Sequence, residues 1–374
     1  RYMVDLSQPS RLEGIAVLER PCPMVHGRLV DHGHRNRTNE RWREVFGYAK
    51  EMGFRYLRGG IPWNKVWLDE DTFDWSQLDA EFEYAEEIGL TIIPILAHMS
   101  YEWESGWMRG PNGEHALERE DLWEYMAHYT RLYLERYQQY LHAGFIPIVE
   151  IGGEPYNHVI TGHWEPHRKD DYETQERMIA NLVKAFNASA AVAHEPEFDV
   201  LVVACEAREC LFSAIQLDAD IFGTNFYAFA HQGESLADGL SEWRSTFLEQ
   251  RGFDPTFAIP EWGSPEYMDP DNNFEREPGM PEPGRSVNRE KEDELLRSWL
   301  LECKERGIKL ALACRYLVGN FWHYHLTQPS EGLECDRNGL IDVHWNEEIG
   351  DYEYHPCWTL ARKFQEIIQV YNES

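Results

Sequence analysis

The chain has 374 residues, of which 43% are hydrophobic and 27% charged, and its formal net charge is −31. This apolar content allows a sizeable core, and the negative charge argues against binding of nucleic acid, whose phosphates it would repel. No run of about 18 apolar residues occurs, which excludes a membrane-spanning helix in this sequence. Seven cysteines without a C-x-x-C pair predict reduced thiols and a cytoplasmic protein. Because the chain begins at Arg1, removal of a leader peptide stays open.

Helical stretches that end in glycine and lead directly into an apolar run recur along the chain. The glycines concerned are Gly53, Gly89, Gly144, Gly252 and Gly307. Glycine adopts the left-handed conformation at low cost, so each one predicts the end of a helix and the start of a strand. The strands predicted along the chain lie near residues 12–17, 55–60, 91–97, 146–152, 199–205, 220–226, 256–260 and 309–317.

Apolar strands that alternate with amphipathic helices predict a parallel sheet covered by helices, and their number matches that of a closed barrel. We therefore predict an α/β fold in which residues 1–374 form a single (β/α)8 TIM barrel. A doubly wound open sheet would alternate in the same way, but no G-x-G-x-x-G or G-x-x-x-x-G-K follows any strand. The connections at 98–118, 155–169 and 262–287 are long, and long strand-to-helix loops build the pocket of a barrel.

Two glutamates stand where apolar strands end. Glu154 follows the fourth predicted strand and Glu261 follows the seventh. In a parallel barrel the carboxyl ends of the strands meet at one mouth, where two such side chains can face each other. Retaining glycosidases use two carboxyl groups about 5–5.5 Å apart, one as nucleophile and one as acid/base. The pair therefore predicts cleavage of glycosidic bonds, although Glu150, Glu206 and Glu266 compete as strand-end glutamates.

Aromatic residues make up 13% of the chain, and many tryptophans fall in predicted loops. Those tryptophans are Trp63, Trp67, Trp103, Trp107, Trp164, Trp262, Trp322 and Trp345. An indole ring offers a large apolar face on which the C–H face of a sugar can stack. As a set, these residues favour a carbohydrate partner, while for any single one the anchoring of a loop onto the core is the better interpretation.

Short motifs along the chain resemble those of clan A glycoside hydrolases, most of all those of family 1, the β-glucosidase family. The matches follow in the family's order at residues 56–63, 93–98, 153–155, 220–227, 260–263 and 319–343. Gly153-Glu154-Pro155 resembles the N-E-P motif of the acid/base residue. Pro260-Glu261-Trp-Gly stands where the family carries its nucleophile. The chain is thus similar to a divergent member of family 1.

This resemblance implies that Glu261 is the nucleophile and Glu154 the acid/base. It also implies that Arg58 and Tyr227 hold the Glu261 carboxylate in its ionised form, since a cation and a phenol favour the charged state. The remaining substrate contacts are expected from His98, Trp322, Asn225, Trp63, Asn157 and Trp262. The expected partner is a glycoside or other carbohydrate, with no cofactor, no metal and no contact with a membrane.

The sequence also departs from the family pattern. Gly153 replaces the asparagine that precedes the acid/base residue, and Asn157 stands nearby as a substitute. The residues that read the outer hydroxyls of the sugar have no counterpart after Trp322. We therefore predict a retaining hydrolase of a β-linked terminal sugar, and the sugar, the linkage, the aglycone and the oligomeric state stay open. An endo-acting clan A glycanase, a transglycosylase and an inactive carbohydrate-binding barrel are the alternatives.

Overall fold

The computed structural model alternates strands and helices along the chain. It describes residues 16–19, 42–51, 56–59, 61, 63–97, 106–110, 112–146, 148–160, 170–207, 210, 213–227, 236–252, 256–259, 262–263, 301, 305, 310–315, 317–318, 341–346, 348–349, 351–356, 358, 362 and 366. The strands are β1 (Ala16–Glu19), β2 (Tyr56–Gly59), β3 (Trp67–Asp69), β4 (Thr72–Phe73), β5 (Thr91–Leu96), β6 (Ile148–Ile151), β7 (Leu201–Ala207), β8 (Ile221–Tyr227), β9 (Thr256–Ile259), β10 (Trp262–Gly263), β11 (Leu310–Arg315), β12 (Leu317–Val318), β13 (Ile341–Asn346) and β14 (Asp351–Pro356). The helices are α1 (Trp42–Glu51), α2 (Trp63–Val66), α3 (Ser76–Ile88), α4 (Leu122–Arg136), α5 (Gln138–His142), α6 (Pro155–Ile160), α7 (Tyr172–Ala193) and α8 (Leu236–Arg251).

Each strand predicted from the sequence has a counterpart, namely β1, β2, β5, β6, β7, β8, β9 and β11. The first of them overlaps β1 at residues 16–17, and residues 12–15 lie outside the described part of the chain. The long loop predicted over 155–169 is wrong in its first half, where the helix α6 forms. Proline is well tolerated at the first position of a helix, although it breaks a helix from within. Pro155 therefore starts α6.

The chain divides into two compact units, which are residues 58–225 with 242–258 and residues 1–57 with 226–241 and 259–374. In the first of these units β5, β6, β7 and β8 are successive parallel neighbours, and β9 pairs in parallel with β8. In the other unit β1 pairs in parallel with β11, and β13 and β14 form an antiparallel pair. Parallel strands covered by helices confirm the predicted α/β class of fold.

The predicted helix ends are confirmed where the structure describes them. Gly89, Gly144 and Gly252 all have a positive φ. At Gly89 the amides of Gly89 and Leu90 donate to the carbonyls of Glu86 and Ala85, which closes the last turn of α3. The face of α3 that carries Leu78, Phe82 and Ala85 is buried, as its helical spacing predicts. No helix among the described residues is long and apolar enough to cross a membrane.

An aromatic cluster packs β3 and β4 against α4. The ring of Trp67 lies 5.1 Å from Phe73, 4.8 Å from Trp107 and 6.1 Å from Tyr129, measured between centroids. Trp63 is 1% exposed and its ring lies 6.0 Å from that of Tyr129. Trp67, which the sequence placed in a loop, belongs to β3 and is buried. For Trp63 and Trp67 the structure thus confirms that tryptophans of this chain anchor the core.

Candidate active site

Glu154 ends a tight turn that directly follows β6. The φ angles are +87° at Gly152, +49° at Gly153 and +43° at Glu154, so three successive residues are left-handed. Glycine takes this conformation readily, whereas for glutamate it costs on the order of 1–3 kcal/mol, a strain that is found most often at functional sites. The neighbouring strands hold the turn, because the amide of Gly152 donates to the carbonyl of Leu96 and that of Glu154 donates to the carbonyl of Cys205.

The carboxylate of Glu154 is half-buried and has a side-chain partner on the next helix. The amide nitrogen Nδ2 of Asn157 donates to Oε2 of Glu154 over 2.8 Å. The two residues are three positions apart, the separation at which side chains of adjacent turns meet. Asn157 therefore fixes the orientation of the Glu154 carboxyl, and its predicted contact with a sugar stays a prediction.

Arg58 of β2 and Glu150 of β6 form a buried ion pair. Nε of Arg58 donates to Oε2 of Glu150 over 2.5 Å, and Nη2 donates to Oε1 over 2.6 Å. The two side chains are 3% and 1% exposed, and β5 separates their strands in the sheet. The predicted contact of Arg58 with Glu261 lies outside the described residues and stays a prediction.

Glu206, near the end of β7, is a second buried carboxylate and is 0% exposed. Its oxygens accept the backbone amides of Tyr156 at 3.0 Å and of Asn157 at 3.3 Å. Burial, together with the nearby carboxyl groups of Glu154 and Glu150, raises the pKa of Glu206 well above its usual range, and the two amides oppose that shift only in part. Glu206 thus lies under the first turn of α6, directly beside the acid/base candidate.

The sequence named Glu150 and Glu206 only as competitors of Glu154, and it missed their partners. A usable signal was present, because Glu150 and Arg58 each interrupt an otherwise apolar strand. A charge buried in a strand needs a counter-charge or hydrogen-bond donors. The opposite signs of these two residues on neighbouring parts of the sheet would have suggested the pair.

Of the other predicted site residues, Trp63 is buried on α2, and the rest fall into two groups. Glu261, His98 and Trp322 lie outside the described residues. Asn225 and Tyr227 lie on β8 and Trp262 on β10, strands whose backbones pair in parallel with Gly263 opposite Tyr227. Their roles stay predictions. Among the described residues, no group of three or more His, Cys, Asp or Glu side chains is arranged to hold a metal ion.

Chemically, the described part of the site offers one carboxyl group that is poised for proton transfer. Glu154 is partly accessible, while Glu150 and Glu206 are buried and engaged by other protein groups. A carboxyl at the end of a parallel strand, where ligands of such sheets bind, can give a proton to a bound substrate and take one back.

The comparisons with known proteins bear on the fold. No protein-family model matches the sequence, and no curated protein matches it. Among solved structures, the family 1 β-glucosidase from Thermotoga maritima is similar, with a TM-score of 0.66 and 13% identity over 96% of this chain and 98% of that chain. The β-glucosidase from Thermotoga maritima in complex with deoxynojirimycin gives a TM-score of 0.66 at 14% identity, over 95% and 98% of the two chains.

A third structure, the same organism's β-glucosidase in complex with castanospermine, gives a TM-score of 0.64 at 13% identity over 96% of this chain and 98% of that chain. Likeness at this level of identity establishes a shared fold and leaves the activity to be argued from the site. The chain therefore has the α/β fold of these family 1 β-glucosidases.

Proposed function

We propose that the protein is a retaining glycoside hydrolase that cleaves a β-linked terminal sugar, with Glu154 as acid/base and Glu261 as nucleophile. The proposal includes a closed (β/α)8 barrel over residues 1–374, of the kind that carries active sites at the carboxyl ends of its strands. The observation that supports it best is the placement of Glu154. This residue follows β6 on a left-handed turn, is half-buried, and has its carboxyl oriented by Asn157.

The proposed reaction has two steps. In the first, the Glu261 carboxylate attacks the anomeric carbon while Glu154 gives its proton to the departing glycosidic oxygen, which leaves a glycosyl ester on Glu261. In the second, the ionised Glu154 takes a proton from water, the water oxygen attacks the anomeric carbon, and the ester bond to Glu261 breaks. Two displacements at one carbon retain its configuration.

A residue with this double role must reach the leaving oxygen in a fixed orientation. The hydrogen bond from Asn157 to Oε2 restricts the orientation of the Glu154 carboxyl group. We propose that this carboxyl group carries out both proton transfers. The remaining sugar contacts are proposed for His98, Asn225, Trp262 and Trp322, with Arg58 and Tyr227 supporting Glu261. Carbohydrate as the substrate class agrees with the sugar-like compounds named in the similar structures.

The test is a panel of 4-nitrophenyl glycosides of both anomers and the common sugars. Wild-type protein should release nitrophenol from a β-glycoside, and nuclear magnetic resonance should show that the first sugar product has the β configuration. Glu261→Ala should abolish release from every substrate. Glu154→Ala should spare activated leaving groups, which need no protonation. Glu173→Ala, which removes an exposed carboxylate of α7, is the matched control and should behave as wild type.

The alternatives separate in the same experiment. Turnover of β-glucans or xylans without release from simple aryl glycosides would favour an endo-acting enzyme. Transfer of the sugar to an added alcohol in preference to water would favour a transglycosylase. Silence on all substrates, combined with binding of oligosaccharides, would favour the carbohydrate-binding barrel and contradict the proposal.

A further inference from the structure

The turn that carries Glu154 is held from one side by a single strand. The carbonyl of Cys205 accepts the amide of Glu154 over 2.9 Å, and the carboxylate of the next residue, Glu206, accepts the amides of Tyr156 and Asn157. Positions 154–157 have three backbone N–H groups, because residue 155 is proline, and Cys205 and Glu206 of β7 accept all three. The carboxyl group of Glu206 accepts the two amides at once, one on each oxygen.

These amides are the ones that a helix leaves without internal partners. The first residues of any α-helix have unpaired N–H groups, and in α6 the first such group is missing because residue 155 is proline. The next two are those of Tyr156 and Asn157, both of which donate to Glu206. Because Glu206 is fully buried, water does not compete for these two amides, and a hydrogen bond is stronger where water is excluded.

We propose that Glu206 is a positioning residue for Glu154, which it serves by fixing the first turn of α6. The inference rests on the function proposed above. The chain of contacts is short: Glu206 binds the amide of Asn157, and the side chain of Asn157 binds the carboxyl of Glu154. A shift of the helix start moves Asn157 and with it the carboxyl group. Glu206 does not touch the substrate, and its role is to keep the acid/base within reach of the leaving oxygen.

The test uses the dependence of rate on the leaving group, which a merely structural defect does not change. In Glu206→Gln one oxygen becomes an amide NH₂, which faces a backbone N–H and breaks one of the two bonds. We expect kcat/KM for a phenyl glycoside to fall roughly 10- to 100-fold, as is typical of a misplaced catalytic group. For a 2,4-dinitrophenyl glycoside, whose departure needs no acid, we expect a fall of less than about 3-fold.

Glu81→Gln is the matched control, because Glu81 is a carboxylate that is just as buried but lies on α3. It should lower both rates by the same factor, if it lowers them at all. If the wild type cleaves both substrates and Glu206→Gln loses the same factor in kcat/KM on each, the inference is overturned. A wild type that cleaves neither would contradict the proposed function instead.

A second measurement needs no variant. Hydrogen exchange in the wild-type protein should show protected amides at Tyr156 and Asn157, at a helix start where such amides are normally open to water. Exchange at these two positions as fast as at Tyr172 and Glu173, the exposed start of α7, would overturn the inference whether or not Glu206→Gln folds.

Discussion

Glu150 and Glu206 lie on neighbouring strands and are equally buried, yet the protein compensates them in different ways. Glu150 faces the full positive charge of Arg58 in a bidentate pair. Glu206 has two backbone amides, and its pKa is raised because burial outweighs those bonds. The difference shows that burial alone does not determine what a carboxylate does. A counter-charge serves to join two strands, whereas amide donors serve to hold a segment in place.

The largest effect should come from breaking the charge pair. Arg58→Met leaves Glu150 buried without its cation, and we expect the free energy of unfolding to fall by about 3–5 kcal/mol. Urea denaturation measures this loss. Pairing the change with Glu150→Leu should recover most of it, because an apolar pair needs no desolvation of charge. A loss in Arg58→Met as small as that in Arg131→Met, whose guanidinium pairs near the surface, would contradict the prediction.

A smaller effect is expected in the left-handed turn that follows β6. Alanine at position 152 would have to adopt a φ of +87° and would bring its Cβ within 3.3 Å of the Pro155 ring. We expect Gly152→Ala to cost on the order of 1–3 kcal/mol of stability. Gly144→Ala is the matched control, since Gly144 also has a positive φ but its Cβ would meet no atom within 4 Å. Equal melting temperatures for the two variants would show that Pro155 does not crowd the turn.

The third effect is the part of the pH dependence of stability that comes from Glu206. Its raised pKa means that the folded protein holds this proton more tightly than the unfolded chain does. The contribution to stability is therefore complete below the ordinary pKa of 4.5 and is lost as the pH rises through the folded-state pKa.

Glutamine cannot lose a proton, so the stability of Glu206→Gln relative to wild type should increase with pH above about 4.5, by at most about 1.4 kcal/mol per pH unit. Urea denaturation of both proteins between pH 4 and pH 8 measures the difference. A difference that stays constant over this range, or one that decreases, would mean that Glu206 is not a carboxyl with a raised pKa.

The smallest change in the free energy of unfolding should come from an exposed carboxylate, with which the two buried ones can be compared. Glu173 is 90% exposed and lies 3.5 Å from Arg177 one helical turn away. We expect Glu173→Gln to change the free energy of unfolding by less than about 0.5 kcal/mol, because water screens such pairs. A larger loss, measured by the same denaturation, would indicate that charge on α7 matters beyond this pair.

Much of the fold could be predicted because its signals are local. The glycine at position 89 ends α3 through its own backbone conformation, and the apolar run that follows forms β5. The position of Glu154 after β6 was predicted on the same basis. The helix α6 was missed since six residues are too few for a helical period to appear in a sequence.

Apart from the opposite charges of Arg58 and Glu150, the sequence gives no sign of the partners within the site, because these depend on which strands become neighbours. The pairing of Arg58 with Glu150 crosses β5, and the hold of Glu206 on α6 joins residues 50 positions apart. Nothing local distinguishes a strand glutamate that binds a cation from one that binds amides. For the same reason, the sequence did not indicate that Trp63 packs against Tyr129, and we expected it to contact a sugar.

The left-handed backbone at position 153 has a consequence for how this turn compares with the family 1 motif that it resembles. Apart from glycine, asparagine is among the residues that tolerate such a conformation best. The main chain at Gly153, with a φ of +49°, is therefore already in a shape that can accept the asparagine found in family 1. Glycine therefore leaves out a side chain that the observed backbone could carry, so that Gly153→Asn can be introduced without refolding the turn.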